Sequence, residues 1–222
     1  MQRLFDIFFS TLALIVLLPL FIPIMIILKF TGEGEVFYIQ ERIGKGGKPF
    51  GLMKFATMLK DSPNMGTATV TVKNDPRILP FGNFLRKTKI NELPQLLNIL
   101  LGDMSVIGPR PQTERCFLAF PKKSQEAIKK VKPGLSGIGS IIFRDEESML
   151  CNNQIDQLKF YDDFIAPYKG SLEQWYVKNQ SLSIYFKLIF LTIWVVIASK
   201  SKIYWKFFHD LPSPSKELKG FL

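Results

Sequence analysis

The sequence is poor in histidine and cysteine. Its 222 residues contain one histidine, His209, and two cysteines, Cys116 and Cys151, which lie far apart and form no CxxC pair. A Ser-His-Asp triad, a Cys-His dyad or an HExxH zinc site would have to use His209, and no such motif surrounds it. The sequence therefore argues against histidine chemistry, cysteine-ligated zinc and a disulfide scaffold.

Basic side chains outnumber acidic ones. The chain has 29 Lys and Arg against 19 Asp and Glu, and the resulting net charge of +10 is not confined to one polybasic arm. An excess spread in this way suits anionic lipid or phosphate-bearing substrates. Nucleic acid would also attract it, but there is no helix-turn-helix spacing, zinc finger or RNP-type aromatic motif. We therefore expect no nucleic-acid partner.

One long apolar run lies near the N-terminus. Residues Ile7 to Leu28 carry no charge, and a helix of that length would reach about 33 Å, enough to cross a hydrocarbon core of about 30 Å. Pro19 and Pro23 lie inside the run, and each removes a helix hydrogen bond. Basic residues flank both ends, which suits poorly a segment whose ends face opposite compartments. From the residues alone, a membrane span and a re-entrant hairpin both remain open.

A second apolar stretch, Leu188 to Ser199, lies near the C-terminus between two lysines. It is too short to span a bilayer. With Trp194, Trp205 and the flanking lysines it predicts an interfacial helix. A buried core helix is the alternative.

The body between these stretches predicts few strands and several helices. Glycine-rich turns and aromatic residues in 32–60 predict a β-hairpin. Apolar spacing predicts a helix from Phe84 to Leu101, with Pro94 near a helix start. A lysine-rich helix over 121–132 and a short helix around 155–164 follow. We therefore expect a mainly α fold with a small β-hairpin.

The densest group of chemically useful residues runs from Lys73 to Pro111. Arginines held among Gly and Pro turns, Arg77 among them, are suited to phosphate because the guanidinium fork is bidentate and stays charged. The carboxylates Glu92 and Asp103 could hold Mg²⁺ or act as nucleophile or base. A solvated basic helix face with structural ion pairs explains the same spacing.

Several stretches resemble the monotopic phosphoglycosyl transferases, a family of bacterial sugar transferases. The similarity extends from about residue 3 to 200, and its long central block is the most specific part. The matching stretches are KFATM at 54–58, NDPRI at 74–78, LRKTKINELPQLLNILLGDMSVIGPRP at 85–111, KPGLSGIG at 132–139 and WYVKNQSL at 175–182.

The resemblance implies a membrane reaction. Such enzymes move a phospho-sugar from a UDP-sugar to polyprenyl (undecaprenyl) phosphate and release UMP, usually with Mg²⁺, on the cytoplasmic face of the bacterial inner membrane. The products begin capsule, O-antigen or glycoprotein glycans, so downstream glycosyltransferases and a second copy of the chain are candidate partners. The family anchor is a re-entrant helix broken at a proline, which corresponds to Pro19, with Pro23 one turn later.

This resemblance also suggests a division of the chain. Residues 1–31 would form the re-entrant membrane anchor and 32–183 a cytoplasmic catalytic domain. An amphipathic interfacial helix over 184–208 and a loose C-terminal tail over 209–222 would follow. Sugar specificity would depend on the loops 60–72 and 140–155, in which no code for a particular sugar is recognisable.

By motif, the resemblance assigns phosphate binding to Lys54 and Arg86. Arg110 of the GPRP stretch would help to form the nucleotide-sugar site. Arg144 falls where the family commonly has the arginine of an Asn-Gly-Arg segment, although its context here is IIFRDEES. Glu173 stands where an aspartate is usual.

One departure bears on mechanism. The family pattern is an Asp-Glu dyad whose aspartate attacks phosphorus, and this chain has Asn91-Glu92. A neutral amide is a far weaker nucleophile and a poorer Mg²⁺ ligand than a carboxylate. Direct transfer to the lipid phosphate with Glu92 as base or metal ligand, or Glu92 or Asp103 as substitute nucleophile, would preserve activity. A catalytically weak or silent protein that binds nucleotide sugars or acts as a scaffold, and an engineered substitution, are the alternatives.

Overall fold

The computed structural model describes residues 1–65, 75–149, 156–198 and 201–221, without the side chains of Glu147 and Ser148. The described chain is mainly helical and has two small sheets. Its helices are α1 Gln2–Phe30, α2 Pro80–Lys87, α3 Gln95–Leu101, α4 Glu114–Leu118, α5 Lys122–Ile128, α6 Ile138–Ile142, α7 Glu146–Met149, α8 Gln157–Phe160, α9 Ala166–Lys178, α10 Leu182–Ile197, α11 Tyr204–Phe207 and α12 Lys216–Lys219. Its strands are β1 Phe37–Ile43, β2 Pro49–Phe55, β3 Ser105–Ile107 and β4 Gly134–Ser136.

The helix α1 continues through Pro19 and Pro23. Among the described helices it is the one long and apolar enough to cross a membrane. Neither proline has an N–H to donate to the carbonyl four residues earlier, so each leaves a weak point in the helix. Most of its apolar side chains are exposed, whereas Phe21, Ile24 and Leu28 are buried against the body. An N-terminal apolar helix is confirmed, and the re-entrant bend stays a prediction.

The predicted hairpin is confirmed. The strands β1 and β2 pair antiparallel from Phe37 opposite Phe55 to Ile43 opposite Pro49. Gly46 and Gly47 in the connecting turn have φ near +75°, which glycine adopts without strain. On the buried face of β2, Phe55 meets Phe21 of α1 edge-on, with 5.3 Å between ring centroids. The hairpin therefore rests on α1.

The helix predicted over 84–101 is wrong in its continuity. The structure breaks it into α2, a short 3₁₀ turn Ile90–Glu92, and α3. Lys89 adopts φ +60°, the one positive φ at a non-glycine residue among those described, and this left-handed conformation interrupts helical geometry. Pro94 precedes α3 directly, as expected of a residue without a donor N–H. The break places Asn91 and Glu92 on a turn.

The KPGLSGIG stretch forms a close backbone contact. The strand β4 pairs parallel with β3, with Ser105 opposite Gly134 and Ile107 opposite Ser136. A Cβ on Gly134 would lie 2.0 Å from the backbone nitrogen of Gly108, so no larger residue fits without displacing the chain. This contact holds the loop that follows β3 and carries Arg110.

The main core is formed by α6, α9 and α10. Its most buried members include Ile138, Ile165 and Leu172. The predicted helix around 155–164 is longer, because α8 continues through a π-helical turn, Tyr161–Ile165, into α9. The predicted lysine-rich helix is present as the shorter α5, which packs on α9.

The C-terminal segment is not a loose tail over the residues described. Leu211 and Leu218 are buried in the main core. The Trp175 indole N–H donates to Asp210 at 2.8 Å, and the Tyr168 hydroxyl donates to the carbonyl of Pro212 at 2.9 Å. The prediction of a loose tail over 209–222 is therefore wrong for the described residues. It was based on the Pro and Ser residues of this segment and did not consider Leu211 and Leu218.

The helix α10 begins six residues before the predicted stretch, and both of its sides are apolar. Tyr185, Leu188, Leu191 and Val195 are buried in the core. The opposite side exposes large apolar residues, namely Phe186, Phe190, Ile193, Trp194, Val196 and Ile197. The buried side matches the alternative of a core helix. The exposed apolar side is one that an interfacial helix would place in the membrane, and the interfacial position stays a prediction.

Candidate active site

A cleft of about 1330 Å³ opens between the hairpin, the turn Ile90–Glu92, α6 and α10. Its lining is rich in cations and contains fewer anions. The basic members are Arg42, Lys54, Lys60, Arg86, Lys87, Lys89, Arg110, Arg144 and Lys169, and the acidic members are Glu33, Glu35, Glu92, Asp145 and Glu146. Such a surface attracts a substrate with several negative charges, because low-dielectric walls focus the field.

The centre of the cleft is an ion pair between Arg110 and Glu92. Arg110 Nη2 lies 2.6 Å from Oε1 of Glu92, and Nη1 donates to Oε2 at 3.3 Å. Burial alone would raise the pKa of Glu92, but Arg110, Lys54 and Lys89 together outweigh it and hold this pKa well below its usual range. Attraction by Glu92 raises the pKa of Arg110 in turn. Glu92 is thus ionised at neutral pH and orients the guanidinium fork.

Two further cations converge on the side chain of Gln40. Its Oε1 accepts from Arg42 Nη2 at 2.6 Å and from Lys54 Nζ at 3.5 Å. Burial and then repulsion by Arg42 lower the pKa of Lys54. Burial and then repulsion by Arg110 lower the pKa of Arg42 to about 10. Because these cations repel one another, an anion bound among them would lower their electrostatic energy. The oxygens of a phosphate group would supply such an anion.

Asn91 is buried beside this pair, and its Oδ1 has no hydrogen-bond partner among the described residues. A buried acceptor without a donor is costly unless a ligand satisfies it. Asn91 lines the cleft together with Glu92. Its buried amide oxygen is therefore a group that a substrate or cation bound in the cleft would satisfy.

The structure brings most of the predicted site residues together. Lys54, Arg86, Asn91, Glu92, Arg110 and Arg144 all line the cleft. Arg86 lies in the last turn of α2, near the sulfur of Met58. Arg144 follows α6 and is half-buried. The central block and the IIFRDEES segment thus meet in space.

Arg77 and Asp103 lie elsewhere. Arg77 is buried in an ion pair with Asp75, whose Oδ2 is 2.5 Å from Nη2, and also donates to the carbonyls of Ser62 and Met65. Asp103 is exposed, and one of its oxygens accepts from Asn98 at 3.5 Å. Neither residue lines the cleft. Their positions support structural roles instead of the substrate-binding and catalytic roles predicted for them.

A buried carboxylate, to which the sequence alone assigned no role, lies behind Arg110. Glu173 on α9 is 1% exposed and accepts from the backbone N–H of Arg110 at 3.4 Å. Burial raises its pKa to about 7, and its Oε2 has no partner among the described residues. One turn earlier, Lys169 pairs with Glu146 at 2.7 Å. The spacing of four residues between Lys169 and Glu173, which places both on one face of α9, is the signal in the sequence that could have indicated these buried charges.

The described residues contain no group of three or more His, Cys, Asp or Glu side chains that could hold a metal. Mg²⁺ commonly needs fewer, since it binds through one or two carboxylates together with substrate phosphates. The unpartnered Asn91 Oδ1 beside the Glu92 carboxylate fits such a shared site. The predicted specificity loops lie partly outside the described residues, at 66–72 and 150–155.

Comparison with known proteins gives consistent matches. A family model described as bacterial sugar transferase matches residues 1–199. A Bacillus subtilis (strain 168) protein, provisionally named undecaprenyl-phosphate N-acetylgalactosaminyl 1-phosphate transferase, is 46% identical over 127 residues, which are 57% of this chain and 68% of the relative. The exopolysaccharide production protein ExoY of Sinorhizobium fredii is 33% identical over 90% of this chain and 86% of its own. The UDP-glucose:undecaprenyl-phosphate glucose-1-phosphate transferase of Escherichia coli K12 is 32% identical over 90% of this chain and 41% of its own length.

Proposed function

The chain belongs to the bacterial sugar transferase family, and on that basis we propose that it transfers a phospho-sugar from a UDP-sugar to undecaprenyl phosphate with release of UMP. The observation that carries the proposal is the Arg110–Glu92 pair, which shares one cleft with Lys54 and Arg86. Both substrates bring phosphate groups to that cleft. The relatives' names differ in their sugar, so the proposal leaves the sugar open.

The cations would act where charge develops. During transfer an oxygen of the lipid phosphate forms a bond to the sugar-bearing phosphorus, the bond to the bridging oxygen breaks, and UMP leaves with that electron pair. Arg110, Arg86 and Lys54 would bind non-bridging oxygens in both states. Because these groups are in place before the reaction, they stabilise the charge without first having to reorganise.

Direct transfer suits the residues at the centre better than a covalent route. Asn91 has no charge with which to attack phosphorus, and Asp103 lies outside the cleft. The carboxylate of Glu92 has both oxygens engaged by Arg110 and a lowered pKa, which makes it a weak base. The lipid phosphate is already ionised and needs no general base. We assign Glu92 to positioning Arg110.

Mg²⁺ is part of the proposal. Glu92 would supply the carboxylate ligand through the lone pairs that Arg110 leaves free. Asn91 Oδ1 would supply a neutral ligand, and substrate oxygens would complete the shell. When bound, the ion neutralises charge on the pyrophosphate.

The test is UMP release by detergent-purified protein with a panel of UDP-sugars, Mg²⁺ and undecaprenyl phosphate. We expect turnover by the natural sequence and its loss in Arg86→Ala. The Asn91→Asp and Glu92→Gln variants are assayed in parallel. Silence of the natural sequence with activity in Asn91→Asp would overturn direct transfer, and would indicate a fold that binds the donor but lacks its nucleophile.

We also propose that α1 is a re-entrant anchor, which enters the bilayer and has both of its ends at the cytoplasmic face. Both of its ends contact the same body, which supports this. Arg3 donates to the carbonyls of Ile99 and Leu100 at the end of α3, and Leu28 is buried near the other end. Labelling of single cysteines at positions 3 and 48 should place both in the cytoplasm. A periplasmic position 3 would overturn the proposal, and Pro19→Ala should shift α1 toward a straight span.

A further inference from the structure

The cleft has an apolar wall in addition to its charged floor, which contains Lys54, Arg86 and Arg110. The wall is formed by Ile189, Ile193 and Val196 of α10, and Ile39 of β1 also lines the cleft. Ile39 is 63% exposed, Ile193 57% and Val196 53%. These side chains would be out of place in a pocket for a nucleotide sugar alone, because neither uridine diphosphate nor a sugar has comparable apolar surface to cover them.

The wall joins the site to the apolar exterior. Val196 in the last turn of α10 lines the cleft and is 53% exposed, so the wall reaches the surface of the protein. A molecule bound by its head at Arg110 and Arg86 could therefore lay the start of an apolar chain along Ile193 and Val196. A ligand that fits both the cations and the apolar wall would be linear, with an anionic head and an apolar tail.

We infer that the apolar wall binds the first isoprene units of the acceptor lipid and directs its phosphate toward the cations on the cleft floor. This inference rests on the proposed function, since it assigns a path to one of its two substrates. Burial of branched apolar side chains against an isoprenoid is favourable in proportion to the area removed from water. Holding the tail also fixes the approach of the phosphate.

The test compares two wall variants with one matched control on the same helix. Ile193→Gln and Val196→Gln change the wall, whereas Ile197→Gln changes an equally apolar residue outside the cleft. Michaelis constants are measured for undecaprenyl phosphate, for the short farnesyl phosphate and for the UDP-sugar. We expect the wall variants to raise KM for both lipid phosphates about 10-fold, with Ile197→Gln and every KM for the UDP-sugar within about 2-fold of the natural protein.

Equal effects of Ile193→Gln and Ile197→Gln would overturn the inference, because they would indicate general membrane contact. A parallel rise in KM for the UDP-sugar would overturn it too, since the wall would then belong to the donor site.

A binding measurement separates this inference from the proposed function. Farnesyl phosphate and inorganic phosphate are titrated into the natural protein and the three variants without donor. If farnesyl phosphate binds more tightly than inorganic phosphate, and only the wall variants lose this difference, the result supports binding of the lipid tail by the wall even if no sugar is transferred. Equal binding of the two phosphates by the natural protein would overturn it, whatever the activity.

Discussion

Arg110 Nη2 lies 2.6 Å from Oε1 of Glu92, although 18 residues separate the two along the chain. The side chains are 32% and 15% exposed, so the pair is screened by solvent only in part. It joins the turn after Lys89 to the loop after β3. Whatever binds in the cleft meets an arginine whose orientation is already set.

Glu92→Gln should abolish most activity, because the neutral amide no longer holds Arg110 or a cation. We expect a loss of at least about 100-fold in kcat/KM and a loss of about 1–3 kcal/mol in unfolding free energy, from the charge left without its partner. The control is Glu35→Gln, which breaks the exposed pair with Lys60 and should change stability by less than about 1 kcal/mol. Activity assays measure the effect of Glu92→Gln on kcat/KM, and thermal unfolding compares the stability of the two variants. A similar loss of stability in the two variants would contradict this account of the pair.

Glu173 should make stability depend on pH. Burial raises its pKa from 4.5 to about 7, so the folded state keeps a proton that the unfolded state releases between these values. Stability therefore falls as pH rises from about 4.5 to about 7 and changes no further above that, by on the order of 3 kcal/mol in all. Glu173→Gln should remove this slope and stabilise the protein above pH 7. Unfolding temperatures across pH 4.5–8 measure it, and an unchanged slope in the variant would refute the assignment.

Gly134→Ala should destabilise the β3–β4 contact. Its new methyl group would lie 2.0 Å from the nitrogen of Gly108, and backbone cannot yield as a side chain can. We expect a loss of about 1–3 kcal/mol or more and lower activity, since Arg110 follows this contact. Gly220→Ala is the control, because nothing lies within 4 Å of its Cβ position, and it should change stability by less than about 0.5 kcal/mol. Comparable unfolding temperatures for the two would contradict the proposed close approach.

Asp6 joins α1 to the body through three hydrogen bonds. It accepts from the Tyr185 hydroxyl, the Ser105 hydroxyl and the Val106 N–H, each at 2.9 Å. Asp6→Asn should cost about 1–3 kcal/mol, and a double-mutant cycle with Tyr185→Phe should show coupling of at least about 0.5 kcal/mol. The exposed Asp103 provides the control, since Asp103→Asn should leave both stability and activity near those of the natural protein. Additive effects of the Asp6 and Tyr185 changes would exclude the network.

Local features of the fold were predictable because they depend on neighbouring residues. The apolar run forms α1, the glycine turn between aromatic strands forms the hairpin, and Pro94 directly precedes α3. The continuous helix over 84–101 was wrong because its apolar spacing gave no sign of the left-handed conformation at Lys89. Propensity and spacing describe how a segment could fold, and a single backbone conformation can override both.

The sequence by itself determined the residue types of the site, its excess of positive charge and the apolar ends of the protein. Only the tertiary structure decided which of these residues share a cleft. Arg77 and Arg110 look alike in the chain, yet the first is buried against Asp75 and the second faces Glu92. The reason is that burial and ion pairing depend on partners from distant segments, here joined by the β3–β4 contact and the break at Lys89.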